Sequence, residues 1–87
     1  MSMTVRQTMH YIATFYTHFG ALSFLKRLRD LGDSEAAMMP APRRLSVSCG
    51  SAVRFSLDFD ETTMPDDDTE SVYRIEKDEY IEVFSNR

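Results

Sequence analysis

The segment Met39–Ser51, with the sequence MPAPRRLSVSCGS, separates two apolar stretches and decides where regular structure stops. Pro40 and Pro42 fix φ and hold the residues before them extended, so neither a helix nor a strand ladder is expected to continue through them. Gly50 allows the backbone to bend, or to approach another group closely, directly after Cys49. We therefore predict a stiffened loop that carries the single cysteine of the chain.

The chain has 87 residues, enough for one domain with a modest core. Its apolar runs are far shorter than the roughly 18 residues needed to cross a bilayer. Residues 1–9 lack the apolar core and cleavage site of a signal peptide, and a single cysteine suits a reducing compartment. We predict a cytoplasmic, soluble protein with a loosely ordered lead-in over residues 1–9 and one α+β domain over residues 10–87.

Charge is distributed unevenly along the chain. Six basic and three acidic residues lie in the first 50 residues, whereas four basic and eleven acidic residues follow, giving a net charge of −4. A nucleic-acid-binding domain usually has a clustered basic stripe and a basic pI, and the pI here is about 5.0. The pattern therefore argues against a nucleic-acid partner, although the basic half would attract a small anion.

The most regular pattern in the sequence is a helix that follows an aromatic strand over residues 10–16. Thr17 offers an N-cap hydroxyl, and Gly32 is a natural stop. Between them, apolar residues recur at steps of three and four positions, which is typical of a helix with one buried face. This apolar stripe consists of Ala21, Phe24, Leu25, Leu28 and Leu31.

The remaining elements are shorter. Residues 35–39 and 52–57 are predicted to be strands two and three, and the alternation in the latter turns Val53, Phe55 and Leu57 to one side. Pro65, followed by three aspartates, resembles a helix start, so we predict a second helix over residues 65–77 and a last strand over 80–84. The alternative is a hairpin in which residues 72–75 turn through 76–79 into 80–84.

The favoured order of elements is strand, helix, strand, strand, helix, strand. Such a βαββαβ order predicts a ferredoxin-like α+β sandwich, with two helices on one face of an antiparallel sheet.

Cys49 is the candidate catalytic residue. A lone cysteine is commonly a small buried hydrophobe, but the neighbours of Cys49 are small and polar, which predicts a loop position that water reaches. Arg43 and Arg44 are close enough in sequence to stabilise a thiolate, and the loop backbone could present N–H groups to an anion. The residues predicted to bind an anion or stabilise the thiolate are Arg43, Arg44, Ser46, Ser48 and Gly50, and those predicted to shape the loop are Pro40 and Pro42.

Other chemistries fit the sequence less well. Two histidines and one cysteine without paired ligand spacing do not predict a metal site, and no cofactor is expected. The run Asp66–Asp68 lacks the alternating ligands of a calcium loop. His18, in the first turn of the helix, could approach the loop, but an exposed histidine at a helix start is the preferred interpretation.

The loop also resembles a known family. Its pattern Pro-x-Pro-Arg-x-Leu-Ser-x-Ser-Cys-Gly over residues 40–50, preceded by an aromatic strand and the Thr17-His18 helix start, is similar to the small bacterial family described as putative Se/S carrier protein-like. The resemblance covers residues 10–55. It implies that Cys49 holds sulfur or selenium as a persulfide or perselenide, and that the partners are a protein donor and a protein acceptor.

Two functions therefore remain. In the first, the protein is a sulfur or selenium carrier with Cys49 as the transfer atom. In the second, it is a non-catalytic binding or regulatory module whose proline–arginine loop holds an anionic ligand or a protein partner. Both describe a carrier or binding protein rather than a self-sufficient enzyme. Neither requires a nucleic acid or a membrane, and a homodimer is left open.

Overall fold

The structure is a computed structural model that describes residues 10–45 and 47–87; the predicted lead-in over residues 1–9 lies outside these. In chain order the described elements are β1 (His10–Phe15), α1 (His18–Asp30), β2 (Ala37–Pro40), β3 (Ser51–Phe55), β4 (Thr69–Glu76) and β5 (Glu79–Ser85). The five strands of this part of the chain form one antiparallel sheet in the order β2-β3-β1-β4-β5. No helix in it is long and apolar enough to cross a membrane.

Strand β1 is the centre of the sheet, a position that suits its aromatic and branched residues. It pairs with β3 on one side, where Tyr11 lies opposite Phe55, and with β4 on the other, where Tyr11 lies opposite Arg74. All residues from Tyr11 to Phe15 are buried. Because side chains alternate between the two faces of a strand, both faces of the sheet must be covered at its centre.

Helix α1 begins and ends where the sequence predicts. The Thr17 hydroxyl accepts the backbone N–H of Gly20 at 3.0 Å, which caps the first turn. At the other end Gly32 has a φ of 101°, the left-handed conformation that glycine adopts without strain after a helix. The apolar stripe is shorter than predicted: Leu31 is the C-cap residue and is 65% exposed.

The core lies between α1 and one face of the sheet. Phe24 of the helix packs against Phe15, with ring centroids 5.2 Å apart, and edge-on against Phe55, at 5.4 Å. Leu28 is 1% exposed and belongs to the same cluster, and Leu25 packs at its margin. Burial of these aromatic and aliphatic side chains is the main contribution to the stability of so small a domain.

The predicted second helix over residues 65–77 is wrong, and the alternative hairpin is correct. Asp66 forms a turn instead of a helix start: its carbonyl accepts the Thr69 N–H at 3.0 Å and its carboxylate accepts the Asp68 N–H at 2.9 Å. Such local bonds compete with helix formation. Strand β4 then pairs with β1 and β5, so the fold has one described helix and is not a ferredoxin-like βαββαβ sandwich.

The opposite face of the sheet is partly covered by the loop between β2 and β3, here called the thiol loop (residues 41–50, of which Ser46 is not described). The loop closes where the Ala41 N–H donates to the Gly50 carbonyl at 2.9 Å. Further along, the Arg44 Nη1 donates to the Asp78 carbonyl, in the turn between β4 and β5, at 2.7 Å. The thiol loop therefore reaches across the face on which Ile12 is buried.

Candidate functional site

The single thiol, that of Cys49, lies near the end of the thiol loop, two residues before β3 begins at Ser51. Cys49 is a free cysteine and is partly exposed. The backbone N–H of Ser51 donates to its Sγ at 3.4 Å. The sulfur thus accepts a backbone donor, and it belongs to a residue that is partly exposed, a setting in which a thiolate can react.

Ser51 also connects the thiol to the start of α1. Its Oγ lies 3.0 Å from Nδ1 of His18. His18 is exposed and occupies the first helical position, as the sequence indicates, and it does approach the loop. The imidazole of His18 therefore contacts the residue whose backbone N–H faces the Cys49 sulfur.

A buried carboxylate anchors the residue before the thiol. The Ser48 N–H donates to Oε1 of Glu70 at 3.0 Å, and the Ser48 Oγ donates to Oε2 at 3.1 Å. Glu70 is only 5% exposed, and Nε of Arg87 lies 3.6 Å from Oε2. Because the carboxylate is fixed on β4, it holds the end of the thiol loop against the sheet.

Glu70 is not among the site residues that the sequence predicts. The residue falls within the stretch interpreted as a second helix, where an acidic side chain has no special meaning. Once residues 69–76 are assigned to a strand, an acid beside the apolar Val72 becomes conspicuous, because buried carboxylates in strands need polar partners. That signal depends on the correct element assignment.

The two arginines of the loop lie at its other end. Arg44 donates to Asp78, and its guanidinium lies over the ring of Tyr80, 5.8 Å from the centroid. Arg43 is exposed and lines an open cleft beside Pro42. These contacts place Arg44 against the β4–β5 hairpin, and the thiolate-stabilising role of both arginines remains a prediction.

The other residues singled out from the sequence take different positions. Pro40 is the last residue of β2 and lies opposite Ser51, so the strand continues one residue further than predicted. A Cβ built on Gly50 would meet no other atom within 4 Å, which shows open space next to Cys49. Ser46 lies outside the described residues.

Two open clefts flank these elements. One, of about 390 Å³, lies beside the C-terminal half of α1 and is lined mainly by apolar side chains such as Phe24 and Met64. It is at the opposite end of the helix from His18. The other, of about 580 Å³, lies beneath Pro42 and the loop arginines. In the part of the chain described, no group of three or more His, Cys, Asp or Glu side chains could hold a metal ion.

Together the fold and the loop define a small α+β domain that presents one thiol from a closed hairpin loop. The family model described as "Putative Se/S carrier protein-like" matches residues 10–84, from the start of β1 almost to the end of β5. The chain therefore belongs to that family. No curated protein and no solved structure matches the chain.

Proposed function

We propose that the protein carries sulfur or selenium, bound covalently to Sγ of Cys49, between a donor protein and an acceptor protein. Membership of the Se/S carrier protein-like family supports a carrier role. The observation that carries the assignment to this atom is the setting of Cys49: a partly exposed thiol on an anchored loop, with the Ser51 N–H directed at its sulfur.

The chemistry is a reversible thiol exchange. The Cys49 thiolate attacks the outer sulfur of a donor persulfide, a new S–S bond forms, and the donor thiolate leaves with the electron pair of the broken bond. Delivery is the same step in reverse: an acceptor thiolate attacks the outer sulfur and the electron pair returns to Sγ. The sulfur atom moves without net oxidation or reduction, so no external oxidant is needed. A selenium atom follows the same course.

The surroundings of Cys49 suit both half-reactions. The Ser51 N–H stabilises negative charge on Sγ, which is the leaving group during delivery. The space beside Gly50 lets a partner's thiol approach the outer atom. The bonds between Ser48 and Glu70 keep the thiol from folding away when no partner is bound.

The proposal is tested by loading the reduced protein with glutathione persulfide and, separately, with glutathione selenopersulfide. Intact mass spectrometry should show a gain of one sulfur or one selenium atom that dithiothreitol removes, and Cys49→Ser should show neither. The loaded protein should pass the atom to an acceptor thiol faster than glutathione persulfide does. A folded protein that takes up neither atom would disprove the carrier role.

Gly50→Ala gives a sharper test of how partners approach. The added methyl group meets no atom of the isolated chain, so stability and loading by a small donor should hardly change. Transfer to a protein acceptor should slow if the free space beside Cys49 is used by that acceptor. Equal transfer rates for the wild type and Gly50→Ala would show that the acceptor does not use the space beside Gly50.

A further inference from the structure

An open cleft on the face of the sheet opposite α1 has an unusual concentration of positive charge. This basic cleft has a volume of about 580 Å³ and lies between the thiol loop and the β4–β5 turn. Its lining includes one carboxylate, Asp78, and four cationic side chains, namely Arg43, Arg44, Arg54 and Lys77. In a chain whose net charge is −4, such a local excess of cations favours an anionic ligand.

Tertiary structure, not a basic run in the sequence, brings these cations together. Arg43 and Arg44 come from the thiol loop, Arg54 from β3 and Lys77 from the turn between β4 and β5. Arg54 and Lys77 follow in the acidic part of the chain, where no basic site was expected. Cations from three separate elements can contact a ligand from several sides, whereas a basic run in one segment would contact it from one side only.

The four cationic side chains keep N–H donors that their contacts within the protein do not occupy. Arg44 is held in the wall of the cleft by the Asp78 carbonyl and the Tyr80 ring, which leaves further N–H donors of its guanidinium free. Nη2 of Arg54 lies 3.4 Å from Nδ1 of His10. Among the described residues, no hydrogen bond or ion pair involves the side chain of Arg43 or of Lys77. Both can therefore turn towards a ligand.

The inner surface of the basic cleft is apolar. Ile12, Met39 and Ile75 contribute to it, and Tyr80 adds an aromatic wall. An inorganic anion would neutralise the cationic side chains around the cleft but would leave this apolar surface in contact with water. Its volume lies within the range of roughly 300–1,000 Å³ found for pockets that hold small organic molecules. The geometry thus combines an anion-binding rim with an apolar floor.

We propose that the basic cleft binds a small organic anion: a phosphate or carboxylate group, paired with the arginines and the lysine, on an apolar body that covers Ile12 and Ile75. Arginine forks recognise either oxyanion through paired N–H donors. The lining of the site does not include Cys49, so binding there does not require the thiol. Because Arg43 and Arg44 belong to the thiol loop, an occupied cleft also steadies that loop.

The test is a titration followed by backbone amide NMR, with phenyl phosphate as the probe and benzoate, inorganic phosphate and phenol as comparisons. Amide signals of residues 42–45 and 75–80 should shift together on binding. Phenyl phosphate should bind more tightly than either of its fragments, and added salt should weaken it. Binding of benzoate with equal affinity would show that the site accepts either oxyanion, and weaker binding of benzoate would assign it to phosphates.

Variants show whether the charges of the cleft cause the binding. Arg43→Gln and Lys77→Gln should each weaken phenyl phosphate binding on the order of tenfold, the loss expected for one charge-assisted hydrogen bond. Lys26→Gln is the matched control, because it removes the same charge from an exposed side chain of α1. Equal weakening by Lys26→Gln, or binding of inorganic phosphate as tight as that of phenyl phosphate, would overturn the proposal. Cys49→Ser should bind the probe normally, which separates this site from the carrier function.

Discussion

Two buried carboxylates each fix a segment that has little regular structure of its own. Glu70 holds the end of the thiol loop through Ser48. Asp33, which is 4% exposed, accepts hydrogen bonds from the backbone N–H groups of Glu35, Ser56 and Leu57, and so joins the approach to β2 to the end of β3. A buried acid is tolerated when donors surround it, and in return it fixes those donors firmly.

Removing the Glu70 carboxylate should release the thiol. Glu70→Ala leaves the Ser48 N–H without its acceptor, and the free energy of unfolding should fall by about 1–3 kcal/mol. In the folded protein, iodoacetamide should alkylate Cys49 faster, because the loop opens more often, whereas sulfur transfer to a protein acceptor should slow. Ser48→Ala, which removes only the hydroxyl bond, is the milder control. A loss of stability with unchanged alkylation and transfer would make Glu70 purely structural.

Asp33 predicts a specific pH dependence of stability. Burial, the largest single influence, raises the pKa of this carboxyl, but the hydrogen bonds from Ser56, Leu57 and Glu35 together outweigh it and hold the pKa below its ordinary value of 3.8. Because the folded pKa is depressed, the ionised group stabilises the fold above pH 3.8. This contribution is lost as the pH falls through the folded pKa.

Asp33→Asn should therefore lower the free energy of unfolding by about 1–3 kcal/mol at neutral pH. The difference from wild type should narrow as the pH falls below 3.8 and through the lower pKa of the folded state. Urea unfolding of both proteins at a series of pH values, from neutral to acidic, measures this difference in the free energy of unfolding. Asp30→Asn, at an exposed carboxylate paired with Lys26, is the control and should change stability little. A constant difference at all pH values would show that ionisation of Asp33 does not matter.

At the scale of elements, α1 is held by one narrow apolar face. Leu28→Ala leaves a cavity between the helix and the sheet and should cost about 2–5 kcal/mol, a large part of the stability of a small domain. Leu31 lies one turn further along the helix but is 65% exposed. Leu31→Ala should therefore lower the free energy of unfolding by less than about 0.5 kcal/mol. Chemical denaturation of the two variants makes the comparison. Similar losses for both would mean that the helix faces the sheet differently.

The prolines of the thiol loop should affect reactivity more than stability. Pro40 ends the edge strand β2 and Pro42 follows it, so replacing both with alanine removes no backbone donor but gives the unfolded chain more freedom. The double variant should transfer sulfane sulfur from Cys49 more slowly, with only a modestly lower melting temperature. Pro65→Ala, in the connector between β3 and β4, is the matched control. Unchanged transfer with a clear loss of stability would separate the prolines from the mechanism.

For the whole molecule, the sheet order predicts how stability is distributed. Strand β1 is paired on both sides and lies under α1, whereas β2 and β5 are the edges of the described sheet. Amides of β1 should exchange with deuterium only through global unfolding, and those of β2 and β5 through local opening. Hydrogen exchange followed by NMR distinguishes the two classes. Equal protection of β1 and β5 would indicate that something else covers the outer edge of β5.

The position of the thiol loop depends on this sheet order. The thiol loop connects the edge strand β2 to the inner strand β3, so one end of it rests on a strand that is paired on both sides and the other on a strand that is paired on one side. Cys49 is close to the stable end, next to β3 and the Ser48–Glu70 contact, and Arg44 reaches over to the β4–β5 hairpin. The thiol is thereby held without being buried, which suits the proposed transfer of sulfur or selenium.

The sequence alone determined the elements whose causes are local. The cap at Thr17, the three- and four-residue apolar spacing and the stop at Gly32 lie within one helix, and the alternation around Val53 and Phe55 lies within one strand. The proline–cysteine loop could be recognised in the same way. Each of these signals involves interactions between residues that are neighbours in the chain.

Only the tertiary structure decided the rest. The signals from Pro65 and the aspartates favour a helix, but Val72 and Tyr73 gain more by pairing with β1, some sixty residues earlier in the chain. The anchor between Ser48 and Glu70 joins residues 22 positions apart, and the cations of the basic cleft come from three elements. Such contacts exist only after the sheet has formed, because the free energy that fixes them comes from burial shared across the whole fold.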